Sequence, residues 1–107
     1  MNFGKTKSDG NPSQSNGIIS EPRPQRRPDV TYRTIDGEAV ILNRQEGHLH
    51  QLNPTATFIW NCCDGILTID EIVERLANAY EIDSIKGRQD VEEVVTKLRS
   101  LNLLQTY

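Results

Sequence analysis

The stretch Gly47-His48-Leu49-His50-Gln51-Leu52-Asn53-Pro54-Thr55-Ala56-Thr57-Phe58-Ile59-Trp60 decides the fold, because it reads as a short strand running without a spacer into a capped helix. Asn53 suits the N-cap, where a side-chain oxygen can accept from the free amides of the first turn. Pro54 suits the next position, where no amide donor is needed. Strand and helix are thus joined at a fixed angle, and that junction is where function is expected.

Upstream, Val30-Thr31-Tyr32-Arg33-Thr34-Ile35 is rich in β-branched and aromatic residues and is followed by Asp36-Gly37, a strong hairpin signal. Glu38 to Asn43 is the return strand, and a second turn, Arg44 to Gly47, leads into a third strand at His48 to Leu52. The expectation is a three-stranded antiparallel meander with the third strand at an edge, offering its unpaired backbone groups as a liability or a docking rail.

Downstream, three helices are expected. Ala56, Ile59, Trp60 and Cys63 share a face of the first, and Gly65 is placed to stop it. Thr68-Ile69-Asp70-Glu71 is a capping box opening the second, whose face is Ile69, Ile72, Val73, Leu76, Ala77 and Tyr80. The third begins between Ser84 and Asp90, with Val91, Val94, Val95, Leu98 and Leu101 on one side. Leu103 and Leu104 are apolar enough to fold back onto the body. Strands followed by helices on one side make a small α+β domain, a three-stranded antiparallel meander followed by three helices, like a winged helix-turn-helix.

With 107 residues and 36% hydrophobic composition, the chain holds one small domain. Residues 1–28 are polar, interrupted by Pro12, Pro22, Pro24 and Pro28, with only Met1, Phe3, Ile18 and Ile19 apolar, so a disordered tail is expected there and a folded domain over 29–107. The basic cluster Arg23, Arg26 and Arg27 closes the tail, either solvated or as a tether to an acidic partner or to the acidic body of the same domain. Residues 30–107 carry seven Lys/Arg against twelve Asp/Glu, a poor background for binding phosphate backbones. No apolar run approaches the roughly 20 residues of a membrane span, and the start lacks the apolar block of a secretory signal, so a cytoplasmic location is expected.

Cys62 and Cys63 are adjacent, too close for the spacing a disulfide prefers, and read as reduced thiols with no local cation to activate them. His48 and His50 alternate on one strand and point to the same face, where two imidazoles could begin a zinc site. The other ligands would have to be Cys62 or Cys63, and neither a CxxC pair nor a third histidine is present, so no metal is expected. There is no GxSxG elbow, phosphate loop or HExxH, and Asp70, Glu71, Glu74, Glu92 and Glu93 read as caps and solvated faces. Neither a catalytic residue nor a cofactor is expected. A winged-helix DNA-binding regulator is the competing reading, but Asp90, Glu92 and Glu93 stand on the third helix where phosphate contacts would be wanted.

A strand pair, a glycine, His-Leu-His-Gln-Leu-Asn-Pro-Thr-Ala-Thr-Phe-Ile-Trp, the Asp64-Gly65 stop, Thr68-Ile-Asp-Glu-Ile, Leu76, Tyr80 and Asp90-Val91 through Leu103-Leu104 together resemble the PqqD-like family, the RiPP recognition elements. The resemblance covers about residues 28–105, and the long polar start departs from the compact family form. It implies a non-catalytic peptide-binding chaperone of natural-product biosynthesis. Such a protein binds the leader region of a ribosomally made precursor by strand addition and presents it to a modifying enzyme, a radical SAM protein in the best-known branch. By position, the resemblance places the rail at His48, Leu49, His50, Gln51 and Leu52, and the opposite wall at Val91, Val94, Val95, Lys97 and Leu98. The sequence leaves open which valines line the groove, and whether the free edge gives a monomer or a weak homodimer.

Overall fold

The computed structural model describes residues 22–105, in the order β1 (Gln25–Arg26), β2 (Val30–Ile35), β3 (Glu38–Asn43), β4 (His48–Gln51), α1 (Pro54–Cys62), α2 (Ile69–Tyr80), α3 (Ser84–Ser100) and β5 (Leu104–Gln105). β2, β3 and β4 form the expected antiparallel meander, with β4 at one edge. Asp36 and Gly37 both adopt positive φ, 52° and 78°, as a two-residue turn matched to strand twist requires. Ala39, Ile41 and Asn43 on β3 are buried, so alternate residues of the sheet face a core completed by Ile59, Trp60, Ile72, Leu76, Val91, Val95 and Leu98.

The strand-to-helix junction forms as the sequence predicts. Asn53 accepts from the Ala56 amide at 2.8 Å, with Pro54 opening the helix. A further contact fixes it. Leu52 N–H donates to Ala39 O at 2.8 Å, but the return bond of that pair is replaced by Thr57. Its hydroxyl accepts from Ala39 N at 2.8 Å and donates to Leu52 O at 3.3 Å. The ladder therefore ends on a side chain of α1.

Residues 22–28 correct the expected boundary of the tail. They form a strap over the body: β1 pairs with β5, Pro24 is buried, and Pro24 O accepts from Gly65 N at 3.0 Å. Arg26 N donates to Cys63 O at 2.9 Å, and Arg27 N donates to Leu103 O at 3.1 Å. The Arg26 guanidinium donates to Trp60 O and Asn61 O at 2.9 and 3.1 Å, placing a cation at the carbonyl end of α1, where the helix dipole favours it. It also lies over the rings of Tyr32 and Trp60, which meet edge-on at 5.3 Å. Composition misses the strap because its stability comes from pairing with the far end of the chain. The remainder of the expected tail, residues 1–21, lies outside the described residues.

α1 ends at Cys62 with Cys63 as its C-cap, ahead of the expected stop, and Gly65 two residues on turns the chain at φ 81°, where a side chain would meet Gln25 at 2.9 Å. Thr68 and Glu71 form the expected capping box. α3 starts at Ser84 because Asp83 accepts from Lys86 N at 2.8 Å. Gly87 in its first turn packs on Val73 with room for a methyl group, since an added Cβ would lie at an ordinary contact distance of 3.5 Å from the Val73 side chain and carbonyl. Tyr80 departs from its expected core position: it is 44% exposed and meets Phe58 edge-on.

Thr57→Val keeps the volume at the junction but leaves the Ala39 amide and Leu52 carbonyl without their partner. Denaturant unfolding should show a loss of about 2–4 kcal/mol. Thr57→Ser should recover most of it, whereas equal losses in both variants would assign Thr57 to packing alone.

Candidate functional site

In an antiparallel ladder the N–H and C=O of one residue point to the same side, and the side alternates along the strand. The Leu52-to-Ala39 bond sets the phase: Leu52, His50 and His48 direct their backbone groups toward β3. Leu49 and Gln51 direct theirs outward, along the free edge. Of the five expected rail residues, these two carry the available donors and acceptors.

The side chains divide the other way. His50 lies opposite Ile41 and His48 opposite Asn43, both buried, so the two imidazoles lie on the inner face of the sheet. Their rings meet edge-on at 6.0 Å. His48 is exposed, with Nδ1 at 3.7 Å from Glu46, and His50 is half-buried with Nε2 covered. Leu49 and Gln51 project from the outer face, where Leu49 is 69% exposed and Gln51 donates to Glu38. Leu52 packs partly against the core.

The expected wall residues also separate. Val91, Val95 and Leu98, at i, i+4 and i+7, are buried in the core and line no open surface. Val94 is half-buried on their flank and Lys97 is exposed, so these two of the five reach the surface. The correction follows from periodicity: a helix that supplies one core line leaves only the residues beside that line for a groove.

That flank faces β4. On the opposite flank Arg88 pairs with Asp70 of α2 at 2.6 Å. Lys86, Asp90, Val94 and Lys97 repeat at i, i+4, i+8 and i+11 on the other side. Near the start of α3, Lys86, Asp90, Glu93 and Val94 border a shallow cavity of about 250 Å³ with Asn53 and Thr55. Beyond its end, Asn102 donates to Glu46 in the β3–β4 turn at 3.5 Å. Hence α3 runs antiparallel to β4, and the space between the strand's free edge and the helix is the candidate groove.

The chemistry of the remaining polar groups is structural. Glu71 completes a cap, and Asp70 and Glu92 pair with Arg88. Burial pushes the Cys63 thiol up to about 12 and raises Cys62, and Cys63 Sγ donates to Ile59 O. Among the described residues no cluster of three or more His, Cys, Asp or Glu could hold a metal ion. No helix among them is long and apolar enough to cross a membrane. The outer side of α3 carries Glu92 beside Gln89 and Thr96, with Glu93 on the boundary between this side and the cavity at Asn53, an acidic lining opposed to nucleic acid.

A family model described as coenzyme PQQ synthesis protein D (PqqD) matches residues 38–104. Two solved structures share the fold. TbiB1 in complex with the TbiA(beta) leader peptide is 25% identical, with a TM-score of 0.71, covering 78% of this chain and 96% of that one. Lasso peptide synthetase B1 complexed with the leader peptide is 22% identical, with the same TM-score of 0.71, covering 79% of this chain and 100% of that one. Comparison with curated proteins gives no match.

The strand phase makes a proline scan diagnostic. Leu49→Pro and Gln51→Pro remove an outward amide and should keep the fold, as judged by melting temperature. His50→Pro removes an amide bonded to β3 and should destabilise the domain by about 3 kcal/mol or more. Cys63 sets an alkaline limit. Its folded-state pKa is raised, so its contribution is complete below about pH 9, where the unfolded thiol ionises, and is lost as pH rises toward about 12. Unfolding of Cys63→Ala should accordingly fall less steeply across that window than unfolding of the parent.

Proposed function

The chain belongs to the PqqD family, and on that premise we propose that it is a non-catalytic peptide-binding protein. It takes the leader region of a ribosomally made precursor as an added strand on β4 and presents the peptide to a modifying enzyme. The observation that carries this reading is the free edge of β4 facing α3 across a groove. TbiB1, which shares the fold at 25% identity, has been solved with a leader peptide, and that supports the same use of this chain.

The mechanism follows from the alternation on β4. Peptide residues opposite Leu49 and Gln51 exchange backbone hydrogen bonds with them, giving affinity that tolerates sequence. Peptide residues opposite His48, His50 and Leu52 direct their side chains inward, toward Val94 and Lys97, and selectivity arises there. The junction at Asn53 and Thr57 keeps rail and helix at a fixed separation, so little ordering is needed on the protein side. The modifying enzyme, of radical SAM or another maturase class, acts on the part of the precursor that extends beyond the groove.

Titrating the labelled chain with the precursor encoded nearest to it should shift the amides of Gly47 to Leu52 and the exposed flank of α3. Leu49→Pro and Gln51→Pro should each weaken binding at least tenfold, about 1.4 kcal/mol, the scale of one or two lost backbone bonds. Shifts confined to the acidic outer side of α3, or binding to duplex DNA that weakens steeply with salt, would overturn the reading.

A further inference from the structure

The groove is not uniform along its length, and its junction end has the character of a side-chain pocket. The cavity of about 250 Å³ there has one apolar wall, Val94, and polar walls from Asn53, Thr55, Lys86, Asp90 and Glu93. Lys86 is committed to Asp90: its ammonium lies 2.7 Å from Oδ1, and that hydrogen bond holds the amine above its usual range. Asn53 is committed to the helix cap through its Oδ1. Glu93 is exposed and has no ion-pair partner among the described residues. Lys86 also feels the charge of Glu93, so the end of the groove carries an apolar surface leading to two carboxylates, Asp90 and Glu93, that share one ammonium.

A long basic side chain fits such a place. Its methylene stem can cover Val94 while its head reaches the carboxylate at the solvent edge. A carboxylate brought there would meet Glu93 and Asp90, with Lys86 already shared. Strand geometry fixes the position of this residue in a peptide. Inward side chains of an added strand stand opposite His48, His50 and Leu52, and Leu52 is the one adjoining Asn53.

We propose that Glu93, with Val94, is a specificity determinant of the groove, selecting peptides that present a Lys or Arg opposite Leu52. This rests on the peptide-binding reading above and adds the chemistry of the preferred peptide.

The test is a display library of randomised peptides selected on the full-length chain and, in parallel, on Glu93→Lys. Glu93 is exposed, so the variant should keep the parental melting temperature. Binders of the parent that shift the Gly47 to Leu52 amides should be enriched in Lys or Arg at one inward position. Replacing that cation by Gln should weaken them about fivefold, the scale of an exposed ion pair. On Glu93→Lys the same position should turn acidic. Binders that occupy β4 with no cation preference, or an unchanged preference on Glu93→Lys, would overturn this inference and leave the peptide-binding reading standing. If selection yields no peptide that shifts β4, the peptide-binding reading fails and this one fails with it.

Discussion

The Thr57 hydroxyl is the contact on which the arrangement depends. It stands where a strand pair would otherwise close, accepting from Ala39 and donating to Leu52. A serine-sized polar group in that place converts the end of a ladder into the start of a helix without orphaning a buried backbone group. Because Thr57 lies one turn into α1, the helix is tied to β3 as well as to the strand that precedes it. The edge of β4 is thus held from behind, and its outer side stays free.

A small domain whose three-stranded sheet, among the described residues, leaves both edge strands, β2 and β4, unpaired on their outer sides must find rigidity elsewhere, and the strap supplies it. Arg26 meets the carbonyl end of α1, stacks on Trp60 and Tyr32, and sits in a segment that pairs with β5. The strap and β5 therefore close over the same core, and Arg27 of the strap bonds Gln45 and Asn102 beside the β3–β4 turn. Keeping β4 in register matters for function. An edge that frays would lose the register that distinguishes outward from inward residues.

Much of this was legible in the sequence because it is encoded locally. Asn53-Pro54, Asp36-Gly37 and Thr68 to Glu71 each specify a cap or turn within four residues, and each forms as read. What was not legible depends on distant partners. Arg26 and Pro24 look like tail until Gln25 is set beside Gln105. Val91, Val94, Val95 and Leu98 form one apolar set in the sequence, and only the position of the sheet and of α2 separates core from groove. The direction of the His50 amide likewise waits on register, which the Leu52-to-Ala39 bond supplies. The same bond turns the histidines inward, beneath the strand, a placement that alternation alone leaves undetermined.

Energy arithmetic shows why a rail alone would not suffice. Leu49 and Gln51 offer two donors and two acceptors, and backbone hydrogen bonds contribute about 0.5–1.5 kcal/mol each after exchange with water, or roughly 2–6 kcal/mol together. Micromolar binding needs about 8 kcal/mol, and ordering a disordered peptide costs on the order of 2–5 kcal/mol more. The deficit must be met by side chains entering between β4 and α3. An edge of four residues is therefore too short to capture an extended chain on backbone bonds alone. Its shortness makes the groove decisive: a peptide is held only if its inward residues suit Val94 and the charges around it.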